Sequence, residues 1–286
     1  MTRILMTGGA GALGKALIAR IRANKNCQLQ VSDFRSGDGV DLILDVSNHL
    51  ELGMAIQTFR PDLVIHLAAS FSGDYDEAYG INVEATRGLF EVALQADPRP
   101  RIVIIGSAAE YGKVDPADNP ISESRPLRPV SIYGLSKAWQ TQLGYLYHVK
   151  GLDVVTCRIF NLDGPGMSER LFIGRIQQQI AAVLAGRESR IRIGALDAVR
   201  DYIEVDTAAH QVFAIATAGQ SGEVYHVASG QAVSMRELLH RYLERYGLAI
   251  SLVEENQDFS TRTGYDVPVI YADMSKTNRL LERENL

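Results

Sequence analysis

The sequence predicts an α/β fold built on a doubly wound parallel sheet, and three observations lead there. Through residue 160, short apolar runs of strand length alternate with stretches whose apolar residues recur at helical spacing. Several of the short runs are apolar at almost every position, as strands buried on both faces must be. The first of them gives way to a helix through a glycine-rich turn. At 286 residues, 46% of them hydrophobic, the chain can bury a core larger than one small domain needs, so a large domain plus a smaller lobe is expected.

The strand candidates are Ile4 to Thr7, Gln28 to Ser32, Leu63 to Ala68, Ile102 to Ile105 and Val154 to Arg158. The helix after the first strand sets Leu13, Leu17 and Ile21 on one face, with Lys15 and Arg22 elsewhere. After Phe160 the rhythm changes to Gly-Pro-rich loops around Gly164-Pro165-Gly166, mixed with helices over Ile173 to Ala185 and Met235 to Tyr246. The second lobe is placed there. No repeat or low-complexity linker separates the two parts, so they are expected to pack tightly together.

Composition excludes several classes of function. The net charge is −5 and no Lys/Arg stripe runs along any element, which argues against nucleic acid as a partner. No apolar run approaches the roughly 18 residues of a membrane span. Met1 leads into Ile4-Leu5-Met6 without the charged and apolar regions of a signal peptide, so a cytoplasmic protein is expected. Cys27 and Cys157, far apart and in strand candidates, read as buried free thiols. The six histidines show no pair at ligand spacing, so no metal site is expected, and His66 in its apolar strand reads as a satisfied core residue. No G-x-S-x-G elbow supports a hydrolase.

The first strand ends in Thr7-Gly8-Gly9-Ala10-Gly11-Ala12-Leu13-Gly14. Gly8, Gly11 and Gly14 give the spacing G-x-x-G-x-x-G, and the helix opens at Ala12 and Leu13. Such a turn lets backbone N–H groups at a helix N-terminus approach a pyrophosphate, whose charge the helix dipole opposes. Nineteen residues after Gly14 stands Asp33, where a carboxylate accepts hydrogen bonds from the adenosine ribose; the alternative is an ordinary turn residue. A carboxylate there favours NAD, while Arg35 two residues on leaves NADP open. Asp45-Val46 suits the adenine edge, or Asp45 is a solvated loop residue. These positions make up a Rossmann-type cofactor site.

Tyr133-Gly134-Leu135-Ser136-Lys137 carries the chemistry, because positions i and i+4 share a helix face. A neighbouring ammonium and a positive nicotinamide ring both favour phenolate, making Tyr133 a general acid/base for a sugar alcohol or ketone. The alternative is a surface pair on an amphipathic helix. Ser107, ending the strand Ile102 to Ile105, would face the same cleft and hold the reacting oxygen by hydrogen bonding. Glycine turn, Asp33, Ser107 and the Tyr133/Lys137 pair fall in the right order on the right elements.

Here the sequence resembles the extended short-chain dehydrogenase/reductases, from the T-G-G-x-G-x-x-G start to Ala272-Asp273-Met274-Ser275-Lys276. His66-Leu67-Ala68-Ala69, Asn82-Val83, Tyr111-Gly112 and the Tyr133/Lys137 pair carry the likeness between. The resemblance implies an NAD(P)-binding domain over residues 1–160, joined by part of 196–228, and a substrate-binding carboxy-terminal lobe over 161–286. It also implies that Lys137 grips the nicotinamide ribose, that Leu67, Ala68 and Ala69 line the cofactor, and that the helix carrying Lys137 joins a homodimer interface; Tyr145 and Tyr147 on that helix read as packing against a partner or the core.

Arg158 to Glu169 and Val199-Arg200-Asp201-Tyr202-Ile203 look like the nucleotide-sugar branch, and most like reductases of GDP-4-keto-6-deoxy-D-mannose. In that likeness Asn161 contacts the sugar or its phosphate and Arg200 clamps the diphosphate; an internal pair of Arg200 with Asp201 or Glu204 is the alternative. Related dehydratases carry proton-moving residues where this chain has Ala108 and Ala109, so dehydration is disfavoured, with the direction of Glu110 left open. Phe71 to Glu77 and Arg262-Thr263-Gly264-Tyr265 depart from the reductase pattern. A nucleotide-sugar 4-epimerase that retains its NAD, and a non-catalytic NAD(P)-binding regulator, are the competing readings.

Overall fold

The computed structural model describes residues 1–259 and 265–284. The first part of the chain forms β1 (Thr2–Thr7), α1 (Ala12–Ala23), β2 (Cys27–Asp33), β3 (Leu42–Ile43), α2 (His49–Phe59) and β4 (Leu63–His66). It continues through α3 (Tyr75–Tyr79), α4 (Ala85–Gln95), β5 (Arg101–Ser107), α5 (Ile132–Val149) and β6 (Val154–Ile159). Each expected strand forms. β4 stops at His66 rather than Ala68, because its neighbour β1 turns away at Gly8 and offers no further backbone to pair with.

Beyond residue 160 come β7 (Asn161–Asp163), α6 (Phe172–Leu184), β8 (Ile191–Ile193), β9 (Val199–Arg200), β10 (Tyr202–Glu204), α7 (Val205–Ala218) and β11 (Val224–Val227). β12 (Val233–Ser234), α8 (Met235–Arg245), β13 (Val253–Glu255), β14 (Val269–Ile270) and α9 (Ser275–Glu284) complete the described chain. α6 and α8 lie within a residue of the helices expected from apolar spacing.

Seven strands make one parallel sheet in the order β11-β6-β5-β4-β1-β2-β3. Its strands are apolar on both faces because both faces are covered. Ile4, Met6, Ile65, Val103 and Val155 pack on one side with α1 and α7, while Leu5, Val64, Ile102 and Ile104 pack on the other with α2 and α4. Leu13, Leu17 and Ile21 are the buried stripe of α1, as their spacing requires.

From β1 the chain goes to β2 on one side and returns to β4 on the other. The strand order therefore reverses between β1 and β4, and the crevice outside their carboxyl ends is where such sheets bind ligands. Short strands β7 to β10 and β12 to β14 form three small sheets beside this edge. Among the described residues no helix is long and apolar enough to cross a membrane. Cys27 and Cys157 are unpaired, and burial pushes the Cys157 thiol up.

Candidate active site

The turn after β1 is built around missing Cβ atoms. Gly8 has φ of +74°, and a Cβ on it would lie 2.4 Å from Ala68 N. A Cβ on Gly14 would meet Gly9 O at 2.4 Å, so α1 can start hard against the turn. Gly11 caps α1, and the N–H groups of Ala12, Leu13 and Gly14 open the helix without intrahelical acceptors, the arrangement that suits a pyrophosphate. Half-buried Leu67, Ala68 and Ala69 leave β4 across from Gly8. This cradle fits a dinucleotide.

Asp33 is buried at the end of β2, where Oδ2 accepts from Ala10 N at 3.0 Å and Oδ1 from Arg35 N at 3.2 Å. It thus braces the glycine turn from the edge where a ribose would lie. Exposed Asp45 accepts from Ser47 N and Oγ, which holds its carboxyl below the usual range, while Val46 is buried. Both leave the sheet at Asp33's edge, since β3 pairs with the end of β2.

Ser107 ends β5 and caps a single helical turn over Ala108–Glu110: its Oγ accepts from Ala109 N at 3.2 Å, and its N donates to Glu110 Oε1 at 2.7 Å. Glu110 faces inward, fully buried, and its Oε2 accepts from Arg158 Nη2 at 2.8 Å and Nε at 3.0 Å. Sequence alone left this direction open; the strand end at Arg158, reached across β5 and β6, settles it.

α5 approaches the Ser107 turn so closely that a Cβ on Gly134 would stand 2.4 Å from Ala109 O. Glycine after Tyr133 therefore lets the helix reach the strand end. Tyr133 is half-buried, its hydroxyl hydrogen-bonded with Ser107 and its ring stacked on Phe71 at 5.0 Å. Lys137 is buried one turn on and its Nζ donates to Gln140 Oε1 at 2.5 Å. Ser107 and Tyr133 thus meet at the end of β5, with Lys137 one turn further along α5.

Burial pushes the Tyr133 phenol up to about 12, the nearby Glu110 charge adds to this, and the Ser107 hydrogen bond only partly opposes it. Burial brings Lys137 down to about 8 against the pull of Glu110. At neutral pH the tyrosine holds its proton, the form that can give one to a carbonyl oxygen.

Asn161 Nδ2 donates to Asp201 O at 3.0 Å. Arg200 pairs with Asp266, Nη2 to Oδ1 at 2.6 Å, an internal partner other than the Asp201 or Glu204 considered as the alternative to the diphosphate. Asp201 is instead occupied by N–H groups of Ser229, Gly230 and Ala272 and by the Ser229 hydroxyl, which draws the loop after β11 toward β9. Of the departures from the reductase pattern, Arg262, Thr263 and Gly264 lie outside the described residues. Among the described residues no group of three or more His, Cys, Asp or Glu could hold a metal.

His66 is the core residue expected, with Nδ1 2.7 Å from Thr7 Oγ1 and Nε2 3.3 Å from Thr86 Oγ1. Burial, helped by the Lys137 charge, brings it down to about 3. Its folded value lies below the unfolded 6.5, so the unfolded chain binds more protons between those values. Its contribution is complete above pH 6.5 and falls away as pH drops toward 3. Between pH 7 and 5 this residue alone is expected to cost about 2 kcal/mol of stability. Urea unfolding of wild type and His66→Asn at both values checks it; an equal loss in the two would remove His66 from the explanation.

Known proteins are similar to this chain in sequence and in fold. The structure titled RMD from Pseudomonas aeruginosa complexed with NADPH superposes with a TM-score of 0.86 at 25% identity, covering 98% of this chain and 92% of that one. The GDP-6-deoxy-D-mannose reductase of Pseudomonas aeruginosa is 28% identical over 202 residues, 68% of this chain and 66% of that enzyme's length. The dTDP-6-deoxy-L-talose 4-dehydrogenase (NAD(P)(+)) of Kitasatospora kifunensis is 29% identical over 261 residues, 88% of this chain and 81% of that enzyme. The model of the NAD dependent epimerase/dehydratase family matches residues 4–228, and the chain belongs to that family of enzymes.

Proposed function

We propose that this enzyme reduces the 4-keto group of a 6-deoxy sugar nucleotide, of the GDP-4-keto-6-deoxymannose kind, with a nicotinamide cofactor. The observation that carries the reading is the turn after β5, where Ser107 and protonated Tyr133 converge while Ala108 and Ala109 supply no proton-moving group. The nearest carboxylate, Glu110, is buried and bound by Arg158. Proton removal beside the carbonyl, which a dehydratase needs, has no base there; proton donation to a carbonyl oxygen has one donor. The relatives' names support the choice, since both pair a nucleoside diphosphate 6-deoxy sugar with oxidation or reduction.

A bound reduced nicotinamide would supply the hydride to the carbonyl carbon. Tyr133 donates its hydroxyl proton to the carbonyl oxygen, giving the alcohol. Ser107 Oγ orients that oxygen, and Lys137 grips the nicotinamide ribose. Gly8, Gly11, Ala12, Leu13 and Gly14 hold the pyrophosphate, Asp33 the adenosine ribose, Asp45 and Val46 the adenine, and Leu67 to Ala69 the middle of the dinucleotide. Asp33 favours NAD over NADP by opposing a 2′-phosphate. In the lobe over 161–286, Asn161 meets the sugar, and Arg200 meets the diphosphate by exchanging Asp266 for it.

We also propose a cytoplasmic homodimer, joined through α5. Tyr145, Leu146 and Val149 are exposed on α5, near a cavity of about 400 Å³ bounded by Tyr79, Val83, Trp139 and Leu143.

The test is mass spectrometry of small molecules released on denaturing fresh protein, then addition of NADH or NADPH with GDP-4-keto-6-deoxymannose. Loss of absorbance at the nicotinamide band is expected. Stoichiometric, tightly held NAD with no net consumption would replace the reductase by a 4-epimerase. No turnover with any sugar nucleotide, together with cofactor-dependent binding of a protein, would point to a regulator.

A further inference from the structure

Lys137 lies at one end of a chain of side chains buried to 1% exposure or less: Gln140, Thr86 and His66, ending at Thr7. Gln140 Oε1 accepts from Lys137 Nζ, and Gln140 Nε2 donates to Thr86 Oγ1 at 2.8 Å. The single proton of Thr86 goes to Asn82 O at 2.9 Å. Thr86 Oγ1 can then only accept from the ring at 3.3 Å, which makes Nε2 the protonated nitrogen of His66. Nδ1 therefore accepts from Thr7 Oγ1 at 2.7 Å.

Each hydrogen bond in this chain has a fixed donor and acceptor, and they converge on Thr86 from both ends. Turning the Gln140 amide over would set its NH2 against an ammonium and its oxygen against a hydroxyl whose proton is already given. Thr7 is the last residue of β1, immediately before the glycine turn, and Gln140 lies one helical turn beyond Lys137. Two ends of one site, on different elements, are thereby coupled through a neutral path.

We propose that Gln140 is a positioning residue, held by Thr86 and His66, that fixes the Lys137 ammonium in register with the glycine turn for binding the nicotinamide cofactor. This rests on the assignment of Lys137 to the cofactor ribose. Gln140 supplies an acceptor without a charge. A carboxylate in its place would pair with Lys137, whose ammonium is already favoured by the charge of buried Glu110 in the turn after β5. His66, facing Lys137 from the end of β4, is neutral and does not oppose it.

The experiment is a fluorescence titration of the purified chain with NADH from pH 6 to 9.5, alongside Gln140→Leu, Gln140→Glu and Lys137→Ala. Gln140→Leu is expected to weaken binding at pH 7 about ten- to a hundredfold, the usual effect of losing a hydrogen bond to a charged group. Gln140→Glu restores the acceptor, with the Thr86 hydroxyl turning its proton from Asn82 O to the second carboxylate oxygen, and the affinity is expected to return with it. It also moves the alkaline fall in affinity, set in wild type by Lys137, upward by about one to three pH units. A residue that merely fills space would produce neither the rescue nor the shift. If Gln140→Leu does not fold, Gln140→Glu decides alone. Lys137→Ala weakened with both Gln140 variants unchanged overturns the positioning role only. A wild type that does not bind NADH, or a Lys137→Ala that binds as well, overturns the cofactor assignment and this proposal with it.

Discussion

Tyr133→Phe is expected to lower turnover of the sugar nucleotide by about 10²- to 10⁴-fold, the range lost with a positioned general acid. NADH affinity should be unchanged. The substitution removes one oxygen. The ring, stacked on Phe71 at 5.0 Å, keeps its place, and α5 keeps its cap, in which Ser131 Oγ accepts from Gly134 N at 3.0 Å. Lys137 and Gln140 are untouched. What disappears is the proton, which burial retains on the phenol up to about 12, and the hydrogen bond to Ser107. Steady-state kinetics with the keto sugar nucleotide, beside the NADH titration, separate the two effects. Full turnover in Tyr133→Phe would sink the mechanism, and lost cofactor affinity would show that the hydroxyl shapes the cradle instead.

Arg158→Leu is expected to cost about 3–5 kcal/mol of stability, the range for stripping a buried ion pair of one partner. Arg158 and Glu110 have side-chain exposures of 2% and 0%, so their pair is not weakened by water as surface pairs are. Glu110 would stay buried with its guanidinium partner gone. The same carboxylate holds Ser107 N, so the catalytic turn should loosen with it. The double variant Arg158→Leu with Glu110→Leu should regain stability, because no charge is then left alone, yet should not regain activity. Urea unfolding at pH 7 checks both. A loss in Arg158→Leu below about 1 kcal/mol, the scale of an exposed pair, would show that water reaches the site.

Much of this was legible because the relevant patterns are local. Ile4 to Met6 and Ile102 to Ile105 read as buried strands, since a strand covered on both faces is apolar at consecutive positions. Gly8 and Gly14 read as a tight turn because a Cβ cannot be accommodated there, and Tyr133 and Lys137 as one face because helical spacing is regular. Phe71, by contrast, lay in a loop that matched no pattern, and only the fold sets it on the Tyr133 ring. Gln140, Thr86 and His66 carry no motif that joins them, since hydrogen bonds between β4, α4 and α5 have no fixed sequence separation. Arg200 has charged neighbours in sequence but takes Asp266, sixty-six residues away.

By itself the sequence determined the parallel sheet, the glycine turn and the identity of the three residues proposed for chemistry, all of which follow from the spacing of neighbours along one strand or helix. Tertiary structure alone decided the electrostatics. Whether Tyr133 holds its proton, Lys137 is lowered, His66 is neutral and Glu110 is free to act depends on burial and on partners brought from distant strands. The cost of a charge is set by everything around it in space, and no stretch of sequence encodes that surrounding.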